Sequence, residues 1–267
     1  MGLGRRIREL RFRGKVRLLD RFVRRSGVVS ADIFGFDVDL DLANFVDRMI
    51  YAGCYEPINV HRFRRLLSAG DVVVDVGANI GFFTLLSSSL VGSSGRVLAV
   101  EPHPNNFGIL QSSLARNGIK NVTAVPVGLG ETAGTGVVEM RNQEDFPNRT
   151  ASMVPGSGED KADVVVVTLP QLLADHGIDR VRLVKIDVDG LETAIVRGAT
   201  DLLQSGAVDY LIVEFNPYWL STAGTSASDF VAELEAAGMV DGTSQDRLAQ
   251  WFFGPGEDRL FCRKGLV

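Results

Sequence analysis

Val72-Val-Val-Asp-Val-Gly-Ala-Asn-Ile-Gly-Phe-Phe-Thr84 is the stretch that decides the fold. Val72 to Val76 is a short β-branched run, the pattern of a strand buried on both faces. The run holds Asp75, turns through Gly77 and Gly81, and opens into Phe82-Phe-Thr-Leu-Leu86, which reads as a helix. A second apolar run, Val97-Leu-Ala-Val100, closes in Glu101. Strand, glycine turn, helix and a second strand ending in an acid make the first half of a nucleoside-binding α/β unit. Glycines allow close backbone approach to a ligand, and a helix N-terminus offers unpaired N–H groups to a carboxylate or phosphate. An ionised Glu101 has acceptors only, which suits both hydroxyls of a ribose.

Two nucleosides compete for this unit. A dinucleotide fingerprint wants G-x-G-x-x-G, whereas the loop here is Gly77-Ala-Asn-Ile-Gly81 with Asp75 two residues before it. A carboxylate there opposes a pyrophosphate and attracts a cation. S-adenosylmethionine carries an ammonium and a sulfonium, so the residues favour the methyl donor over a dinucleotide.

Asp75-Val-Gly-Ala-Asn-Ile-Gly81 resembles the first motif of the FkbM-type family of S-adenosylmethionine-dependent methyltransferases. Glu101-Pro-His-Pro104, Val184-Lys-Ile-Asp-Val-Asp-Gly-Leu-Glu192 and the upstream Gly53-Cys-Tyr-Glu-Pro57 resemble further motifs, over about residues 50 to 265. One departure is Asp189 in Asp189-Gly-Leu-Glu192, where Glu is commoner. The resemblance implies a class I Rossmann-like α/β fold: a mostly parallel seven-stranded sheet with an antiparallel late strand. It implies O-methylation of a hydroxyl on a sugar, glycolipid or other glycoconjugate, with a polyketide or other natural-product acceptor as the alternative. It also implies cofactor roles. Asp75 and the backbone of Gly77, Ala78, Asn79 and Gly81 would hold the amino acid end, with Thr84 donating to its carboxylate. Glu101 would take the ribose, Pro102 would line the sugar, and Val127 would meet the adenine. Glu56 would reach the methionine ammonium, unless it pairs with Arg62 or Arg64. On this reading Gly77→Val removes cofactor binding and leaves the core folded.

Composition bounds the rest. The chain has 267 residues, 45% of them hydrophobic, enough for one large α/β domain with a modest appendage. We divide it into a basic amphipathic arm (1–28), a strand and helix extension (29–70) and the nucleoside-binding domain (71–267). No apolar run approaches the roughly 20 residues of a membrane span, and an apolar signal core is lacking. The expectation is therefore a cytoplasmic protein. Cys54 and Cys262, with no C-x-x-C pair, read as reduced thiols rather than a zinc site.

Charge is uneven. Residues 1–25 hold ten Arg or Lys against Glu9 and Asp20, a net +8, leaving −13 on the remainder. Phe12, Val16, Leu19 and Val23 fall on one helical face. Such an arm lies on an anionic surface at the inner membrane face, or docks on the acidic body, or stays partly disordered. Nucleic acid is not expected, because the body is acidic and the arm lacks a base-stacking platform. Oligomeric state is left open.

The remaining elements alternate as in a parallel α/β domain. Residues 31–42 read as a strand or hairpin, 57–67 as a helix, and 104–117 as a helix opened by Pro104. Strands are expected over 122–127, 164–167, 181–186, 210–215 and 259–263, and helices over 169–176 and 227–237. Residues 128–162 read as an irregular excursion over substrate, with short strands at 137–138 and 152–154.

Methyl transfer needs nucleophile, methyl and leaving sulfur in line, and an alcohol needs a group to take its proton. Asp187, Glu192 and Glu214 fall beyond the carboxyl ends of predicted strands, where such groups sit. Asp187 leads as the base or orienting group, with Glu214 second. Helix capping is the competing role for Asp187. For Glu192 the competing roles are binding of helix-start N–H groups or a pair with Lys185. Asp187, Asp189 and Glu192 have oxygens that suit Mg²⁺, but no matching set on another strand supports a metal. His103 either borders the adenine or sits in a solvated loop. Two rivals from other classes stay open, a nicotinamide-dependent oxidoreductase and a non-catalytic cofactor-binding partner.

Overall fold

A computed structural model describes residues 27–143, 146–153, 159–243 and 258–266. Most of the basic arm, residues 1–26, lies outside the described residues, and so does its reading as a surface helix. The chain enters through β1 (Val28–Ile33) and β2 (Phe36–Asp41), an antiparallel hairpin closed by Phe34 and Gly35 at φ +58° and +90°. Both residues in the left-handed region is the signature of the turn whose twist matches a two-residue hairpin. Then follow α1 (Phe45–Tyr51), capped by the Asn44 side chain, and α2 (Pro57–Leu66), with Pro57 in its first turn.

The nucleoside unit comes next: β3 (Val72–Val76), α3 (Phe82–Val91), β4 (Arg96–Val100), α4 (Pro104–Arg116) and β5 (Val122–Val125). Val73 and Val74 are fully buried, as a central parallel strand covered on both faces requires. β5 stops two residues short of the expected Val127. Pro126 has no N–H to offer the ladder and ends it there.

Residues 128–167 correct the sequence reading. The expected irregular excursion is a second sheet, ordered β6 (Gly128–Leu129), β9 (Glu159–Val167), β7 (Gly134–Gln143) and β8 (Phe146–Ser152). β7 pairs antiparallel with both β8 and β9, and each of those pairings carries a register shift near Glu139 to Gln143. Polar and glycine-rich strands show no clean alternation, so period-2 patterning had little to report. Of the expected 152–154 strand, Ser152 closes β8 and Val154 lies outside the described residues.

The chain then returns through α5 (Leu169–Asp175), β10 (Val181–Ile186), α6 (Glu192–Gly198), α7 (Thr200–Gln204), β11 (Val208–Glu214), α8 (Pro217–Thr222), α9 (Ala227–Ala236), β12 (Met239–Asp241) and β13 (Asp258–Arg263). The main sheet runs β12-β13-β11-β10-β3-β4-β5. Its five strands from β5 to β11 are parallel, and β13 is antiparallel to both neighbours. This is the Rossmann-like sheet with one late antiparallel strand that the resemblance implies. Strand order reverses between β3 and β10, and ligands bind in the crevice beyond the carboxyl ends at such a point. Cys54 and Cys262 are free thiols. Among the described residues, no helix is long and apolar enough to cross a membrane.

Candidate active site

The loop after β3 is held from behind. Gly77 and Ala78 donate their backbone N–H groups to Val100 O, at 3.0 and 2.9 Å, and so tie the loop to the end of β4. Gly77 has φ +80°, and a Cβ there would overlap the backbone carbonyl oxygen of Asp187. Its glycine is therefore demanded by the crossing of two chain segments, whatever a ligand requires. That corrects the expectation for Gly77→Val, which must disturb the fold as well as any ligand. Gly81, at φ +97°, opens α3, and its missing Cβ leaves room for Leu110 of α4.

Glu101 directly follows β4 at 3% exposure. Its Oε2 accepts from Asn79 N at 2.8 Å and its Oε1 from His103 N at 3.0 Å. Burial pushes its pKa up to about 7 against the lowering effect of those donors and of Asn106. A carboxylate has about four lone-pair sites, so Glu101 keeps acceptor capacity beyond those three donors. His103 lies neither in solvent nor, among the described residues, on the cavity wall. It caps α4, is 1% exposed, and its Nε2 meets the Asp160 carbonyl oxygen at 3.1 Å.

Asp75 is 1% exposed on β3. Its Oδ2 accepts from Thr84 Oγ1 at 2.6 Å, while its Oδ1 has no hydrogen-bond partner. Burial raises its pKa, opposed chiefly by Lys185. A buried carboxylate oxygen without a donor is costly unless a ligand supplies one. Thr84 uses its hydroxyl on Asp75 and does not line the cavity, so it positions Asp75 rather than meeting a ligand carboxylate.

The other end of the crevice is built around Lys185, which stands beside Asp75 across the β3–β10 ladder. Lys185 is 2% exposed, its Nζ lies 2.6 Å from Asp187 Oδ2, and it sits 4.8 Å from the centre of the Phe83 ring. Burial opposes its charge, but Asp187, Glu56, Asp258 and Asp75 together raise its pKa. Glu56 adopts φ +39° at the start of α2 and accepts from Asn59 Nδ2 at 2.7 Å. Asn59 also donates to Asp258 and accepts from Arg62. Burial, then Asp258 and Asp187, push Glu56 up to about 7 against the pull of Lys185. Glu214 ends β11, opposite Asp258 in the β11–β13 ladder. Its Oε2 has no partner, and burial followed by the charges of Asp187, Asp189, Glu192 and Asp258 pushes it up to about 10.

One cavity of about 470 Å³ joins the two ends. Of the residues expected from sequence, Glu56, Asp75, Gly77, Ala78, Asn79, Glu101, Pro102, Asp187 and Glu214 line it. Gly81, Thr84, Val127 and Glu192 are not on its wall. Val127 packs beside the hydrophobic core instead. Glu192 accepts from the backbone N–H groups of Val188 and Gly190, at 3.0 and 3.1 Å. Its role is to hold the turn into α6, and Lys185 pairs with Asp187 rather than with it. Lys185, Asp258, Asn59 and Arg62 were missed. A lysine inside the apolar run Val181–Ile186 was a readable anomaly, since lysine is almost never fully buried unpaired. Asp258, far along the chain, gave no such signal. Among the described residues, no three His, Cys, Asp or Glu side chains converge to hold a metal ion.

The cavity can therefore hold a ligand that brings a cationic donor to Asp75 and hydroxyls to Glu101, and can act on a group placed at Asp187. A model of the methyltransferase FkbM domain matches residues 75–240. Methyltransferase sdnD of Sordaria araneosa is 28% identical over 188 residues, covering 60% of this chain and 70% of that protein. Hexuronic acid methyltransferase AglP of Haloferax volcanii is 28% identical over 167 residues, covering 62% of each. 31-O-demethyl-FK506 methyltransferase FkbM of Streptomyces tacrolimicus is 30% identical over 188 residues, covering 60% of this chain and 69% of that protein. The family match takes in more than half of the 267 residues, and with the strand order it settles membership: the chain belongs to the methyltransferase FkbM domain family.

Proposed function

We propose that this methyltransferase is an S-adenosylmethionine-dependent O-methyltransferase whose acceptor is a hydroxyl of a sugar, in a glycolipid or another glycoconjugate. The observation that carries the reading is the partnerless Oδ1 of buried Asp75 in the same cavity as Glu101 and the Lys185–Asp187 pair. When bound, S-adenosylmethionine supplies a methyl group on a positively charged sulfur. Asp75 would take its ammonium, Glu101 its ribose hydroxyls, and Pro102 would border the ribose. Seven carboxyl side chains on the wall suit a cationic nucleoside better than a pyrophosphate, which argues against the nicotinamide reading.

At the other end, Asp187 accepts the proton of the attacking hydroxyl. Lys185 holds Asp187 in place by their 2.6 Å contact. Glu214, carrying a proton at neutral pH, offers a hydrogen-bond donor instead of a base. Phe82, Phe83 and Ile80 on the same wall exclude water from the path between the ends. The relative named for hexuronic acid supports a sugar acceptor, and the one named for 31-O-demethyl-FK506 supports the natural-product alternative.

Incubation with methyl-labelled S-adenosylmethionine and fractionated glycolipids, glycosides and polyketides tests the reading. Label is expected in a glycoside or glycolipid fraction, in a base-stable methyl ether. Base-labile methyl ester, or label confined to the polyketides, contradicts it.

A further inference from the structure

Seven carboxyl side chains line the cavity against two cations, Arg62 and Lys185. Both cations are already engaged. Lys185 Nζ is held by Asp187, and Arg62 donates to Asn59 Oδ1 at 2.8 Å and to the Asp258 carbonyl oxygen at 3.1 Å. Away from the β3 and β4 tips, the wall presents Glu56, Asp187, Asp189, Glu214 and Asp258. Glu214 and Asp258 face each other across paired strands, and Glu214 Oε2 has no donor. Asp75, buried and also short of one donor, marks the same cavity as a place that a ligand completes.

We infer that the acceptor end admits a hydroxylated ring that is neutral or positively charged and turns away one bearing a carboxylate or phosphate. The inference rests on the proposed function and narrows its substrate class. Ionised carboxylates only accept hydrogen bonds, and the hydroxyls of a neutral ring donate them. An ammonium on the ring adds counter-charge to a wall where Asp187, Glu56 and Asp258 share Lys185. An anion entering the same space finds no free cation among the described residues and meets like charge at short range in a poorly screened site. The carboxyls already respond to that crowding: burial with neighbouring charge pushes Glu56 up to about 7 and Glu214 up to about 10. Selection here is by repulsion, which discriminates without requiring a tight fit to the accepted ring.

The full chain, saturated with S-adenosylhomocysteine, is titrated at pH 7.5 with methyl glucoside, methyl glucosaminide and methyl glucuronide, and binding is followed by ligand-observed NMR. The glucoside and glucosaminide should bind, and the glucuronide should bind at least about tenfold more weakly, a modest repulsion on the affinity scale. Asp258→Asn should narrow that gap, and Glu56→Gln should do the same where Asp258→Asn fails to fold. Equal or tighter binding of the glucuronide overturns the inference. So does an unchanged gap in both variants, or binding of none of the three. Calorimetry with S-adenosylhomocysteine alone separates the two levels. If the nucleoside does not bind, the proposed function fails; if it binds and the sugar order is wrong, only this inference fails.

Discussion

At the β3–β4 end of the cavity, Glu101 receives two backbone N–H groups and Asp75 receives the Thr84 hydroxyl. At the β10–β13 end, Glu214 has an oxygen with no donor, and Asp258 depends on Asn59, 199 residues away in sequence. The first end is set by local backbone geometry and leaves Asp75 Oδ1 without a donor. The second gathers carboxyls from four separated segments around one lysine, and burial with neighbouring charge raises the pKa of Glu56, Glu214 and Asp258. The contrast separates a backbone-built end from an acidic end whose electrostatics are held in tension by Lys185.

That contrast can be broken most severely at Gly77, where the ends touch. Gly77→Val places a side chain on a left-handed residue and into the Asp187 carbonyl. The expected loss is about 4 kcal/mol, from backbone strain together with overpacking. Urea unfolding checks it, and wild-type stability would mean that the β3 and β10 loops do not cross as described. Lys185→Met comes next. It leaves Asp187, Glu56 and Asp258 without their shared cation, and the expected loss is about 3 kcal/mol, read by the same method. A Lys185→Met protein as stable as wild type would show that the acid end needs no central charge.

Dependence on pH sharpens the comparison. The folded pKa of Glu56 and Glu101 is raised to about 7 and that of Glu214 to about 10, from an ordinary 4.5. Between those values the folded chain binds more protons than the unfolded one, so stability falls as pH rises. Their stabilising contribution is complete below about pH 4.5 and is lost as pH climbs through 7 for Glu56 and Glu101, and through 10 for Glu214. Glu214→Gln should flatten the decline between pH 7 and 10, and Glu101→Gln should not. Thermal unfolding across that range decides, and equal slopes in wild type and Glu214→Gln would refute the assignment. The smallest effect is expected at Thr84. Thr84→Val removes one donor from buried Asp75 at a cost of about 1 to 2 kcal/mol in stability.

The two ends also differ in how far they could be read from sequence. Asp75, Gly77 and Glu101 lie in one run of strand, turn, helix and strand, where spacing alone puts them together. The core strands followed from apolar runs for the same reason, and the late antiparallel strand from the family resemblance. Asp258 and Asn59 reach the site only because β13 inserts beside β11 and α2 packs nearby, which no local pattern announces. Thr84 was given a ligand-facing role, and Glu192 was left between a catalytic role and binding of helix-start N–H groups, because position after a strand does not say which way a side chain points. In the structure both spend their oxygens on the protein itself. The structural need for Gly77 was not legible, because a glycine loop looks the same whether or not a neighbouring segment also needs the space.

Calorimetric titration of S-adenosylhomocysteine into the wild-type chain and into Asp75→Asn, a change that keeps shape and removes the charge awaiting an ammonium, is the most direct measurement. Saturable one-to-one binding to the wild type, weakened at least about tenfold in Asp75→Asn, is the expected result. No binding to the wild type, or equal affinity in both proteins, would mean that the β3–β4 cradle does not hold the methyl donor.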